Sequence, residues 1–178
     1  DGATDGLEAL EPLDPEKIHS FSELLEAMRK TAFGGRRLGE AYETLAAMIE
    51  DSDCKVVLTL SGAMTIAKMG KIISTMIDRG MVQAIISTGA LVAHGLSESV
   101  GKLHYRHEAS HSDEELFQKG YNRVYDTLEM ESNLNYVEHV VSLTLKRINT
   151  EQPLSSHLLT RELGKTLAEE FEGPGILK

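Results

Sequence analysis

The sequence contains no tryptophan, a single cysteine and few aromatics of any kind, four Phe and five Tyr in 178 residues. One cysteine, Cys54, excludes a disulfide framework within the chain and points to a reducing, cytoplasmic setting. No apolar run is long enough to cross a bilayer, so no membrane partner is expected. The amino terminus has no signal-peptide pattern. Basic residues are the minority, 18 Lys and Arg against 28 Asp and Glu, and the net charge of −10 excludes the basic face that general nucleic-acid binding requires. An acidic surface of this kind suits solubility, or the attraction of cations such as polyamines. The hydrophobic fraction of 41% excludes wholesale disorder. With aromatics so scarce, the core must rest on Leu, Ile, Val, Ala and Met. The length suits one domain of ordinary size. The first residue is Asp rather than Met, so the chain is expected to start inside a longer reading frame.

Residues 1–19 are acidic, contain Pro12 and Pro15, and read as an amino-terminal arm ahead of a domain spanning 20–178. Phe21, Leu24, Leu25 and Met28 recur at helical spacing, with Ser20 and Glu23 placed as a capping box. Gly34-Gly35 is expected to break that helix, and Leu38, Ala41, Tyr42, Leu45, Met48 and Ile49 mark a second one. Next comes Lys55–Leu60, a short run rich in β-branched residues that ends at Ser61-Gly62-Ala63. The spacing of Ile66, Met69, Ile72, Ile73, Met76 and Ile77 predicts a helix over 64–79, ended by Gly80. Val82–Ile86 reads as a second buried strand. It ends at Ser87-Thr88-Gly89-Ala90 and is followed by a helix over 91–100. Two strand, small-residue turn, helix units in succession predict an α/β fold, a Rossmann-like parallel sheet flanked by helices, with right-handed crossovers. Two strands make a short sheet, and the fold is expected to be incomplete in this chain. Residues 101–136 read as polar and irregular, with a short helix over 113–119. Helices are expected over 136–150 and from Ser155-Ser156 to about Phe171.

Ligands of parallel α/β sheets bind beyond the carboxyl ends of the strands. Two such ends are visible. Ser61, Gly62, Ala63, Met64 and Thr65 offer backbone amides and hydroxyls that suit a phosphate, and Ser87-Thr88-Gly89-Ala90 offers the same. Neither is a glycine-rich dinucleotide fingerprint or a P-loop, and small residues also serve tight packing. His94 lies just past the second turn, where it can face a pocket. His104, His107 and His111 have the i, i+3, i+7 spacing of one helical face, a pattern able to bind metal. The flanking Gly101, Ser110 and Ser112 argue against a regular helix there, so solvated loop histidines and no metal are expected. Tyr105, Tyr121, Tyr125 and Tyr136 are expected as scattered structural tyrosines rather than the walls of a cation pocket. Glu40, Glu43, Glu50 and Asp51 read as a solvated helix face. Cys54 reads as strand-edge packing rather than a nucleophile.

The runs Leu58–Ala63 and Ile85–Leu96 and the later Lys119-Gly120-Tyr121-Asn122-Arg123 resemble the deoxyhypusine synthase family, in order and with similar spacing from about Phe21 onward. Its most specific pieces are the Gly-x-Asn-Arg element at 120–123 and the Ser-Thr-Gly-Ala turn at 87–90. Leu159-Thr160-Arg161-Glu162-Leu163-Gly164 resembles a later helix of the family. The resemblance implies an NAD-dependent, Rossmann-like transferase that works as a tetramer. Such enzymes oxidise spermidine with NAD, hold the butylamine moiety as an imine on an enzyme lysine, and deliver it to a lysine of a translation factor. It further implies cofactor contacts at Ser61, Gly62, Ala63, Met64, Thr65, Thr88, Gly89, Ala90 and His94. The family's paired glutamates, which serve polyamine and cofactor, fall on Ala93 and His94.

Three departures accompany the resemblance. Gly62 stands where the family usually has Asn. Ala93 and His94 replace two acids. The family's catalytic lysine follows a Trp-Gly pair that this chain does not contain, so no catalytic residue is assigned here. The expected protein is thus the amino-terminal portion of a transferase, either a homo-oligomer or paired with its missing carboxyl-terminal part. Its acceptor is a translation-factor lysine or another amine. The alternatives are a non-catalytic NAD-binding or regulatory relative, and a generic nucleotide-binding α/β domain.

Overall fold

The computed structural model describes residues 2, 4–149, 151 and 153–178, and the chain divides into two compact units, Asp1–Val56 and Val57–Lys178. The first unit holds a 3₁₀ turn at Pro15–Lys17 and two helices, α1 (Phe21–Arg29) and α2 (Phe33–Glu50). The Ser20 hydroxyl accepts from the Glu23 amide, as expected. The Glu23 carboxylate accepts from the His19 amide at 2.6 Å, one residue earlier than a standard box. Gly34-Gly35 does not break α1. That helix ends at Arg29, and both glycines lie in the first turn of α2. The chain reverses before them, where Thr31 donates to the Met28 carbonyl and Arg36 Nε donates to the Thr31 carbonyl. Gly39 permits the close crossing of the two helices, since a Cβ there would lie 2.4 Å from the Arg29 amide nitrogen. The acidic segment runs back to the end of α1, where the Glu11 amide donates to the Lys30 carbonyl and the two side chains pair at 3.1 Å.

The second unit opens with β1 (Val57–Leu60), which pairs in parallel with β2 (Ala84–Ser87). Between them the expected helix over 64–79 is split. A 3₁₀ turn occupies Gly62–Met64, and α3 begins only at Gly70 and runs to Asp78. The interruption is a helix-termination motif centred on Lys68, with Lys68 N–H donating to Thr65 O and Met69 N–H to Met64 O. Lys68 takes φ 66° at the position such motifs normally give to glycine. Gly80 fills the equivalent position at the end of α3, with φ 68°. Helix α4 (Gly89–Ser99) follows β2.

The segment expected to be irregular instead carries a three-stranded antiparallel sheet, ordered β3 (His104–Arg106), β5 (Thr127–Met130), β4 (Tyr121–Val124). Helix α5 (Asp113–Gln118) precedes β4 and starts in a complete capping box between Ser112 and Glu115. Helices α6 (Asn133–Leu145) and α7 (Ser156–Glu170) complete the unit. The helix expected over 136–150 begins earlier, at Asn133, and ends at Leu145, with residues 146–149 outside it; residue 150 lies outside the described residues.

The core lies among the helices. Leu96 of α4, Val140 of α6 and Leu163 and Leu167 of α7 are at most 2% exposed and pack together. Thr144 and Thr166 cross this layer with a 3.0 Å hydroxyl hydrogen bond, and Thr166 donates onward to the Glu162 carbonyl. The two parallel strands are not buried as the sequence suggested: Val57 is 50% exposed and Ile86 62%. A run of β-branched residues is written for a covered sheet, and among the described residues each strand has one neighbour. Among the described residues no helix is long and apolar enough to cross a membrane.

Candidate functional site

The register of the parallel pair sets Leu60 beside Ser87, so the two small-residue turns leave the sheet side by side. The Ser87 hydroxyl donates to the Leu60 carbonyl at 2.9 Å and ties the strand ends together. Gly62 is buried where the turns touch. A Cβ there would stand 2.4 Å from Thr88 Oγ1 and 2.5 Å from Ala90 Cβ, so a larger residue at this position needs a different path for the turn. Ser61 accepts from the Ala63 amide, and Met64 is half-buried behind it. Thr65 is fully buried, and its hydroxyl donates to the Leu91 carbonyl, which fastens the first turn to α4.

The two turns differ in what they present. The first leads into a 3₁₀ turn and an interruption, not into the long helix expected there. The second opens α4 directly. No described side chain caps that helix at Thr88, and Gly89 has nothing within 4 Å of where a Cβ would be. Backbone amides at an uncapped, open helix start favour an anion. Thr88 also lines a groove of about 650 Å³ along β2 whose far wall includes His157, Thr160 and Arg161 of α7. Arg161 lines the same groove as Thr88 and is paired with Glu162 at 3.2 Å.

Beyond this turn α4 carries His94 toward the antiparallel sheet. His94 Nδ1 lies 2.9 Å from Glu129 Oε2 on β5, while Ala93 offers a methyl group alone. His104 is the cross-strand neighbour of Glu129, and its Nε2 lies 3.5 Å from Glu129 Oε1. On its other side, His104 Nδ1 is 2.9 Å from Lys68 Nζ, and Lys68 is ion-paired with Glu98 of α4. Lys68 is the strained residue of the interrupted segment, so this network repays some of the cost of its backbone. Burial raises the Glu129 pKa, but the close approach of the His104 ring and the Ser97 hydroxyl and the charges of His94 and His104 outweigh it, holding the carboxyl at about 2.

His104, His107 and His111 share no helix: His104 lies in β3, and His107 Nε2 meets the His111 carbonyl. The tyrosines are less scattered than expected, since Tyr105 and Tyr136 line one pocket together with Lys102. Tyr105 and Tyr121 stack edge to face, Tyr136 carries the Lys102 ammonium over its ring, and Tyr125 stands exposed at the β4–β5 turn. Arg123, the last residue of the Gly-x-Asn-Arg element, clamps Asp113 of α5 with two bonds and donates to the Tyr125 carbonyl. Sequence reasoning missed Glu129, Lys68, Glu98 and Ser97. Only Glu129 had a local signal: it sits in a strand-like run that follows a two-residue turn.

A parallel pair flanked by helices, with its strand-end turns side by side, is an α/β architecture of the kind in which ligands bind beyond the strand ends. The family model of deoxyhypusine synthase matches residues 23–178, and the chain belongs to the deoxyhypusine synthase family. It is 36% identical over 163 residues to a probable deoxyhypusine synthase 2 of Methanosarcina acetivorans, covering 89% of this chain and 47% of that protein. A deoxyhypusine synthase-like protein of Elusimicrobium minutum is 29% identical over 168 residues, covering 93% of this chain and 44% of that one. The chain thus spans about half the length of the curated relatives it matches. A crystal structure assigned as a deoxyhypusine synthase of Entamoeba histolytica shares the fold, with a TM-score of 0.57 at 13% identity over 90% of this chain and 57% of that one.

Proposed function

We propose that this chain supplies the cofactor-facing part of an NAD-dependent transferase. The reaction moves an aminobutyl group from spermidine or a related polyamine to a lysine of a translation factor or to another amine acceptor. The observation that carries the reading is the contact of the two strand-end turns across Gly62, which sets the first turn against Thr88, the residue before α4 that lines the groove along β2. Thr88, Gly89 and Ala90 would hold the diphosphate through backbone amides, with Arg161 as a countercharge across the groove. Ser61 supplies a hydroxyl from the neighbouring turn. Thr65 acts behind them by keeping the turn against α4. Bound NAD supplies the hydride acceptor that makes an amine carbon electrophilic. The half-covered sheet favours work as a homo-oligomer, a tetramer in the family resemblance, or in association with a carboxyl-terminal part.

Calorimetry of NAD with the full-length protein tests this. One saturable site is expected, weakened at least ~10-fold, about 1.4 kcal/mol, by Gly89→Val, whose side chain fills the approach to the amides. Absence of NAD binding, or equal affinity in the variant, would remove the reading. A second reading is a non-catalytic NAD-binding relative. Its support is that Ala93 carries no acid and His94 is engaged by Glu129. Spermidine-dependent NADH formation separates the two, since the transferase shows it and the non-catalytic relative does not.

A further inference from the structure

We propose that His94, His104 and Glu129 form a binding site for a divalent transition-metal ion of the zinc class. The proposal rests on these side chains alone and is independent of NAD binding and group transfer. One ligand atom from each lies within 4.8 Å of those of the other two. His104 Nε2 and Glu129 Oε1 carry the argument. Both are sealed from solvent and make no hydrogen bond of normal length among the described residues; they face each other and the Ser97 hydroxyl, which is likewise unsatisfied. They stand 3.5 Å apart, long for a hydrogen bond. Two atoms each about 2.0–2.1 Å from one tetrahedral ion are ~3.3–3.4 Å apart, so a shared cation resolves both unpaired atoms at nearly this spacing. His94 Nδ1 donates to Glu129 Oε2 at 2.9 Å in the metal-free arrangement, and His94 becomes the third ligand by giving up that bond.

Two imidazoles and a carboxylate are a zinc-type donor set that leaves one tetrahedral position for water or a substrate group. That position falls on the His94 side, because the His94 side chain is 23% exposed against 1% for His104. The surroundings fit a cation. Two carboxylates, Glu98 and Glu129, flank His104, and one ammonium, Lys68, pairs with Glu98. Metal binding requires His104 to carry its proton on Nδ1. Glu98 Oε1, 3.6 Å from that atom, is placed to accept it once Lys68 turns fully to Glu98. A carboxylate behind a metal-bound histidine fixes its tautomer and raises its basicity.

The test uses the full-length protein without a polyhistidine tag, stripped with chelator and titrated with Zn(II) against a chromophoric competitor and with Co(II) by visible absorption. One equivalent of Zn(II) and the intense absorption of tetrahedral Co(II) are expected. His94→Gln, at the partly exposed ligand, should weaken Zn(II) at least ~10-fold with the circular dichroism unchanged, and Glu98→Gln should weaken it ~10-fold through His104. His107→Gln and His111→Gln should bind as the parent does. Unchanged affinity in His94→Gln overturns the proposal, as does loss of affinity in His107→Gln or His111→Gln in its place. Absence of stoichiometric Zn(II) binding overturns it as well.

Discussion

Gly62 and Thr88 meet where the two parallel strands end, so closely that a Cβ on Gly62 would stand 2.4 Å from the Thr88 hydroxyl. The contact is the hinge point of the candidate cofactor site. It sets the first turn against the start of α4, and it separates two glycines that look alike in sequence.

Gly62→Ala should therefore destabilise the fold by about 1–3 kcal/mol, the usual cost of overpacking. Gly89→Ala meets open space and improves helix propensity, so its stability should hold or rise by up to ~1 kcal/mol. Urea denaturation of both variants checks this. Equal losses would show that the turns do not pack as described.

The Asp113–Arg123 pair sets a pH dependence. Hydrogen bonding from Arg123 holds the Asp113 carboxyl below its ordinary value of 3.8, against a smaller opposing effect of desolvation. A carboxylate whose folded pKa is depressed contributes stability above its unfolded value, and this fades as pH falls below 3.8 through the folded pKa. Carbon-detected NMR titration should place the Asp113 midpoint below 3.8, and Arg123→Gln should return it toward that value. Unchanged titration in the variant would break the link. The pair is exposed, so the global effect should be small.

Tyr125 holds φ 57° at the β4–β5 turn with its side chain 86% exposed. Tyr125→Gly relieves the strain and removes little contact. We expect a gain of about 0.5–1 kcal/mol, net of the added freedom of the unfolded chain, with the Arg123 bond to the backbone carbonyl kept. A fall in thermal midpoint would contradict it.

Val57 and Ile86 expose apolar surface on neighbouring strands. Light scattering of the 178-residue chain should show self-association that falls when both are replaced by Thr, a β-former with a polar group. A monodisperse monomer at high concentration would count against an oligomer built through this face.

Local chemistry made much of the fold legible. Ser20 and Ser155 cap helices because their hydroxyls lie within three residues of the amides they satisfy; Ser112, weighed in the sequence only against a helix over the histidines, caps α5 in the same way. The two strand-turn-helix units announced a parallel pair because period, length and small residues are all local. The same reasoning failed at Lys68, where periodicity promised an unbroken helix. The chain stops there because Thr65 is tied to Leu91, and Lys68 is held by groups on other elements. It failed again over 101–136, where strands of three or four residues carry too little pattern to register and form only because β5 pairs on both sides.

The candidate site divides in the same way. The residue types at 61–65 and 87–90 were set by the sequence, since a strand end that approaches a ligand needs small residues whatever surrounds it. That Gly62 is a packing point, that Gly89 is an open one, and that Thr65 is buried were decided by how the turns meet. Only the tertiary structure brought His94 to Glu129 and His104, across a helix and a second sheet. No spacing along the chain encodes such a meeting, because it depends on where α4 crosses β5, and helix packing sets that crossing.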